Sequence, residues 1–442
     1  MSDSRVKLYK SSPKGGVVLL STILLYVVYL LVGYRPFMGY LGSIFCVFSS
    51  ARLIYRAWKA KNPLFITLFT FIFLYAWPSK LFFFDGLYFS AHHLDYTYDT
   101  AFFAVIILSL FFQLLGLFVK IPQGPMDLSK LYRRNSFIFY SVFLIVAAII
   151  FLYKPVGNVY MGEGDSESFS LYEYALIFFV ILHFFANSVF KKSLFWLLGV
   201  LYVFFTLRSG GRVSIIMFFL LLLLVEFQQK INYKKLLLLL LIGIWGMNTF
   251  EKVRSNPSMI LRGNIAEIAN PFSSNDSWYQ ISNFGDVFWA SERLLILSKE
   301  GYLTTTDRLQ SAVLFLMSPF SVGTQGSDLA NLTTYKREYY SSGGGGLAPV
   351  VFFMFGGVFG LILLAWFVGR CLSGLKHIKA DFKSFYIFLL VITIPRWFAY
   401  YPVQLVKLCI FGAMIIAFVY FFDFKTTGHQ SVIHHENTDK CK

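Results

Sequence analysis

From Val17 to Tyr34 the chain runs eighteen residues without a charge, and such stretches recur almost to its end. A helix rises 1.5 Å per residue, so about 20 apolar residues cross the roughly 30 Å of hydrocarbon in a bilayer. Twelve stretches fit this description, at 17–34, 37–51, 64–84, 101–119, 136–153, 171–190, 193–207, 213–227, 236–250, 347–368, 384–401 and 403–422. Charged residues make up 14% of the chain, against about 25% in soluble domains, which excludes a water-soluble globule. The fold class expected is all-α, a polytopic integral membrane protein of about 12 transmembrane helices. The basic segment before Val17 is followed by no small-residue cleavage site, so the first apolar run reads as an uncleaved span.

The distribution of Lys and Arg sets an orientation. The N-terminus, the connections near 52–61, 120–134, 191–192, 228–235 and 370–383, and the segment 423–442 together hold 24 basic residues and seven acids. The opposite side holds 15 and 16. Both termini are therefore expected in the cytoplasm, and the net charge of +16 reads as an orientation signal with no nucleic-acid partner. The expected domains are transmembrane helices one to nine over 1–250, a large periplasmic loop over 251–346, helices ten to twelve over 347–422, and a cytoplasmic tail. Within the loop, 285–301 puts Val287, Ala290, Leu294, Leu295 and Leu297 on one side of a helix, and 306–319 opens on a Thr-Asp cap. Both read as helices lying on, or dipping into, the outer membrane surface. The cysteines, Cys46, Cys371, Cys409 and Cys441, suggest no disulfide framework.

Several groups could carry chemistry. Arg208-Ser209-Gly210-Gly211-Arg212 opens the eighth span, where two guanidiniums beside free backbone N–H groups suit an anion such as phosphate; a tight turn with arginines reaching headgroups is the alternative. Arg396 stands near the end of the eleventh span, after a proline that frees backbone carbonyls. Arg254, Arg262, Arg293, Lys336 and Arg337 lie on the same side. Glu251, Glu267, Asp276, Asp286, Glu292 and Glu300 are candidate bases or salt-bridge partners, and spacing does not choose among them. Glu173 and Lys407 lie within spans. Tyr339-Tyr340-Ser341-Ser342-Gly343-Gly344-Gly345-Gly346 leads into the tenth span as a ligand approach, a gate or a flexible linker. No zinc-ligand spacing, Gly-x-Ser-x-Gly, His-Glu-x-x-His or dinucleotide fingerprint occurs. A metal-independent reaction relying on arginine electrostatics is the expectation, with no cofactor.

Two of these motifs, Leu207 to Arg212 opening a span and Gly343 to Gly346 followed by Phe355-Gly356-Gly357-Val358-Phe359-Gly360, carry a resemblance. The chain resembles the bacterial O-antigen and oligosaccharide repeat-unit polymerases, the Wzy-type multispanning glycosyltransferases. It departs from them where an acid often stands between the glycine run and the aromatic-glycine step, since 347–354 reads LAPVVFFM.

The resemblance implies a GT-C-like architecture in the bacterial inner membrane. It implies transfer of an undecaprenyl-pyrophosphate-linked glycan onto a lipid-linked repeat unit at the periplasmic face, with a chain-length regulator as a possible further partner. On this reading Arg208, Arg212 and Arg396 hold pyrophosphate, and Asp286 or Glu292 accepts the acceptor's proton. Arg254, Arg293 and Arg337 hold phosphate or acidic sugar, while Tyr339, Tyr340, Gly343 and Gly344 line the substrate site. Trp278, Tyr279 and Trp289 could stack on sugars. An O-antigen ligase is disfavoured because 251–346 contains no histidine. A flippase of lipid-linked sugars is the alternative from a different class.

Overall fold

A computed structural model describes residues 14–85, 98–153, 170–208, 213–227, 229–255, 283–320, 329–333, 335–336, 345–379 and 381–439. Its helices are α1 (Lys14–Val32), α2 (Pro36–Lys59), α3 (Pro63–Asp85), α4 (Tyr98–Phe118), α5 (Ser136–Leu152), α6 (Ser170–Phe185), α7 (Val189–Arg208) and α8 (Val213–Leu222). There follow α9 (Tyr233–Ser255), α10 (Asn283–Lys299), α11 (Thr305–Met317), α12 (Ala348–Gly374), α13 (Phe382–Ile392), α14 (Ile394–Ala399) and α15 (Gln404–Asp439). No strand occurs among the described residues. Among the described residues five helices, α2, α4, α7, α12 and the first part of α15, are long and apolar enough to cross a membrane. Six more apolar helices of 10–17 described residues accompany them. The chain is an all-helical membrane protein.

Local chemistry sets many of the boundaries. Pro36 and Pro63 sit in first turns, where a missing N–H costs nothing. Asn62 accepts from Phe65 N at 3.2 Å, Asn135 from Ile138 N at 3.3 Å, and Asp381 from Ser384 N at 2.8 Å, each meeting an orphan donor of a helix start.

The chain divides into two compact units. The first comprises Met1–Met126, Glu226–Lys376 and Ile394–Val406. Its centre is α4, which packs on α1, α2, α3, α10 and α12. Close crossings require glycine: a Cβ on Gly369 would stand 2.6 Å from Phe118 Cβ and 3.1 Å from its backbone carbon. The second unit comprises Asp127–Val225, His377–Thr393 and Lys407–Lys442, with α6 packed on α5, α7 and α8. Here the Tyr172 hydroxyl donates to Tyr202 O at 2.9 Å, and buried His183 bonds the Tyr132 hydroxyl at 2.7 Å.

The structure revises four sequence expectations. The stretch 384–401 is two helices, because Pro395 has no N–H to continue the ladder and Thr393 Oγ1 turns back to Leu389 O at 3.0 Å. The boundary at 190–193 moves to 186–188; Ser188, just before α7, accepts from Lys191 N at 3.3 Å, so Lys191 lies in the first turn, its ammonium bonding Ser136 Oγ at 2.8 Å and Asn187 Oδ1 at 3.0 Å. The stretch 213–227 is α-helical only to Leu222 and ends in a π turn, Leu223–Phe227. Within α12, Gly356 and Gly357 leave helical angles, Gly357 at φ +57°, so the helix breaks at the aromatic-glycine step.

Candidate functional site

In the first unit α10 is enclosed by protein. Val287 to Leu297 are all buried, including Ser291, Glu292 and Arg293 at 0% exposure. The expectation that 285–301 lies on the membrane surface is thereby corrected, since its apolar side packs against α3, α4 and α12. Trp289, at 1% exposure, is core and unavailable to a sugar.

The polar residues of α10 hold the chain around them. The Arg293 guanidinium donates from Nη1 to Thr333 O at 3.2 Å and from Nη2 to Tyr335 O. Burying a guanidinium costs several kcal/mol, about 1.5–3 of which each charge-assisted bond returns. Its geometry is that of a positioning residue fixing Thr333 and Tyr335. Ser291 Oγ donates to Val287 O and accepts from Leu347 N, both at 2.8 Å, which ties the start of α12 to α10. Gly346 lies against the same residues, for a Cβ there would meet Thr333 Cγ2 at 3.0 Å and Ser291 Oγ at 3.4 Å.

One residue earlier the glycine run meets Tyr400, the residue that follows α14. A Cβ on Gly345 would lie 2.7 Å from Tyr400 Cα and closer still to its carbonyl group. Tyr400 N and Tyr401 N both donate to Arg396 O, at 3.3 and 2.9 Å. The half-buried Arg396 guanidinium sits 5.8 Å over the Tyr401 ring, a cation–π arrangement that holds the charge in place. Glu292 and Arg293, the 331–336 segment, the end of the glycine run and the Arg396 helix thus share one neighbourhood. It holds the Arg293 and Arg396 side chains and the buried Glu292 among close-packed backbone.

Beside it, α11 opens with a capping box, Thr304 accepting from Asp307 N and Asp307 accepting from Thr304 N. The cap is therefore Thr304, two residues before the one expected. The Thr304 backbone N–H and then its hydroxyl hold the Asp307 carboxyl below the usual range. On this helix the polarity is reversed: Ser311 and Ser318 are buried, whereas Leu309, Val313 and Leu316 are each at least 60% exposed. Phe315 packs on Phe352 and Phe355 of α12.

The remaining candidates are distributed as follows. Arg208 is the exposed last residue of α7, in the second unit, where a cation complements the helix C-terminus. Arg212 lies outside the described residues, as do Arg337, Tyr339, Tyr340, Gly343, Gly344, Trp278 and Tyr279. Asp286 and Arg254 stand in α10 and α9, their side chains outside the description. Sequence reasoning missed Ser291, which looked like one more polar residue of a loop helix, and the Gly345–Tyr400 contact, which joins residues far apart in the chain. Comparison with known proteins finds no matching family model, no matching characterised protein and no matching solved structure.

Proposed function

We propose that the chain is a Wzy-type glycosyltransferase that polymerises lipid-linked oligosaccharide repeat units in the bacterial inner membrane. On this reading the twelve apolar stretches cross the membrane with both termini cytoplasmic. The observation that carries the proposal is the meeting of the glycine run, at Gly345, with Tyr400, one residue beyond the helix that holds Arg396. Two motifs selected from sequence for a pyrophosphate-linked substrate come together there.

In the reaction, a hydroxyl of the acceptor sugar attacks the anomeric carbon of the donor. A carbon–oxygen bond forms while the bond to undecaprenyl pyrophosphate breaks, and the hydroxyl proton passes to a carboxylate. Negative charge grows on the leaving pyrophosphate, so a permanently protonated guanidinium held in place before the reaction is the appropriate stabiliser. Arg396 takes this role; the paired Arg208 and Arg212 are proposed, from sequence alone, to bind phosphate. Arg293 orders 331–336 and does not itself touch substrate. Removing one such charge-stabilising donor costs about 10²–10³ in rate.

The test is gene deletion in the native host, complemented with wild type, Arg396→Ala or Arg208→Ala, with surface polysaccharide resolved on gels. Single repeat units still attached, with the long-chain ladder lost, are expected for the deletion and for both variants at normal expression. An unchanged polysaccharide profile overturns the proposal. The breaks at Gly356–Gly357 and between α13 and α14 favour a second reading, transport of lipid-linked sugars, because interrupted helices build transporter sites. Loss of every attached repeat unit would select it.

A further inference from the structure

The second unit holds a buried charge that the proposed reaction does not use. Helices α5 and α7 start side by side: the Lys191 ammonium, from the first turn of α7, reaches Ser136 Oγ, on the first residue of α5, at 2.8 Å. It also reaches Asn187 Oδ1, just before α7, at 3.0 Å, and lies 5.3 and 5.9 Å from the ring centres of Phe139 and Tyr140. Lys191 is 5% exposed, and among the described residues it has no carboxylate within ion-pair distance. Its two acceptors are neutral, so the charge is buried without a counter-ion. Its place in the first turn of a helix adds to the mismatch, because that end of the macrodipole favours an anion.

The ammonium also fixes what its neighbours can offer. It donates and never accepts, so it occupies the oxygens of both Ser136 and Asn187 and sets the Asn187 amide one way round. What remains on these two exposed residues is the Ser136 hydroxyl proton and the Asn187 amide NH2, neither of them bonded further among the described residues. Arg134 and Lys192, both exposed, stand beside them in the chain, while Asp423 lies 3.9 Å from Arg133. The cluster therefore presents donors and positive charge. Because α7 is long and apolar enough to cross a membrane, its first turn lies at the level of lipid headgroups. Phe137, Val189 and Phe190, at the same helix starts, are each more than 60% exposed, as on a surface that meets acyl chains.

We propose that the paired starts of α5 and α7 bind the headgroup phosphate of an acidic phospholipid, its oxygens accepting from the Ser136 hydroxyl and the Asn187 amide with the Lys191 charge behind them. Lys191 acts by polarising these two donors, and the bound phosphate is its counter-ion. Basic pockets between transmembrane helices are recurrent headgroup sites.

The full-length protein, purified in mild detergent, would be titrated with phosphatidylglycerol and with phosphatidylcholine, and bound lipid counted by native mass spectrometry. Wild type is expected to retain phosphatidylglycerol in preference to phosphatidylcholine. Asn187→Asp places a carboxylate beside Lys191, so it should melt no lower than wild type and yet retain phosphatidylglycerol roughly fivefold to tenfold less. Ser136→Ala, which removes one donor and keeps the charge, should lower retention by a smaller factor. Equal retention by wild type and Asn187→Asp would overturn the proposal and leave Lys191 as a clamp between α5 and α7. Equal retention of the two lipids by wild type would overturn it too, as would a loss of retention confined to variants that also melt lower.

Discussion

Adding one methyl group at Gly345 tests whether the glycine run and the Arg396 helix form a single structure. The new Cβ would stand 2.7 Å from Tyr400 Cα, whereas carbon atoms in contact settle at about 3.5–4.0 Å. The same Cβ would fall on the Tyr400 carbonyl group itself, so one of the two backbones must retreat by about 2 Å. Neither is loose: Leu347 N is bonded to Ser291 Oγ at 2.8 Å, and Tyr401 N to Arg396 O at 2.9 Å. Overpacking of this type costs about 1–3 kcal/mol, and a displacement of about 1 Å at a reacting centre can cost about 10²-fold in rate.

Gly345→Ala is thus expected to reach the membrane, melt at a lower temperature than wild type, and yield about a hundredth of the long-chain polysaccharide in the complementation assay. Two controls grade the effect. At Gly346 the nearest atom to a Cβ is Thr333 Cγ2 at 3.0 Å, which has only to give by a few tenths of an ångström, so Gly346→Ala should be milder. At Gly243 in α9 a Cβ meets nothing within 4 Å, and alanine gains up to about 1 kcal/mol in helix propensity. If Gly345→Ala melts and polymerises as Gly243→Ala does, the reasoning is refuted. A lower melting temperature with full activity would keep the contact but remove it from the site.

Three further predictions follow from the same unit. Arg293→Met leaves the carbonyls of Thr333 and Tyr335 without their donors, and should cost on the order of 3 kcal/mol in thermal unfolding of the detergent-solubilised protein; a melting curve superimposable on wild type would exclude the positioning role. The Asp307 carboxyl is held below its ordinary pKa of about 3.9 by Thr304, so its contribution to the start of α11 is fully present above that value and is lost as pH falls through the depressed one. Hydrogen exchange of 305–308, corrected for intrinsic rate, should accelerate as the pH falls below the ordinary carboxylate range, and Asp307→Asn should remove that pH dependence; equal acceleration in both would show that another group is responsible. Nitroxides on Val313→Cys and Leu316→Cys in nanodiscs should be accessible to oxygen and shielded from a water-soluble nickel chelate, because these exposed apolar positions face lipid; free access of nickel would place α11 in water.

The fates of α10 and α11 show what the sequence could and could not disclose. Helix type and approximate extent were legible, because apolar periodicity and caps such as Asn62, Asn135 and Asp381 act within a few residues. The surroundings of a helix are not local. On α10 the apolar side was read correctly, but Ser291, Glu292 and Arg293 are buried too, since the 331–336 segment and the start of α12 supply polar partners some 40 to 56 residues away. On α11 the apolar face points away from the protein and the serines point in. In water this arrangement would be unstable, because large apolar side chains gain by burial and hydroxyls lose by it. Against hydrocarbon the first term vanishes, and a helix of thirteen residues, too short to span, can hold its polar side to the protein and its apolar side to lipid. The same limit applied to the site: the glycine run and Arg396 were each visible in sequence, but only packing could bring Gly345 against Tyr400. It follows that 251–346 does not behave as one aqueous loop. Its α10 is part of the protein core, and its α11 has the pattern of a helix seated in the membrane.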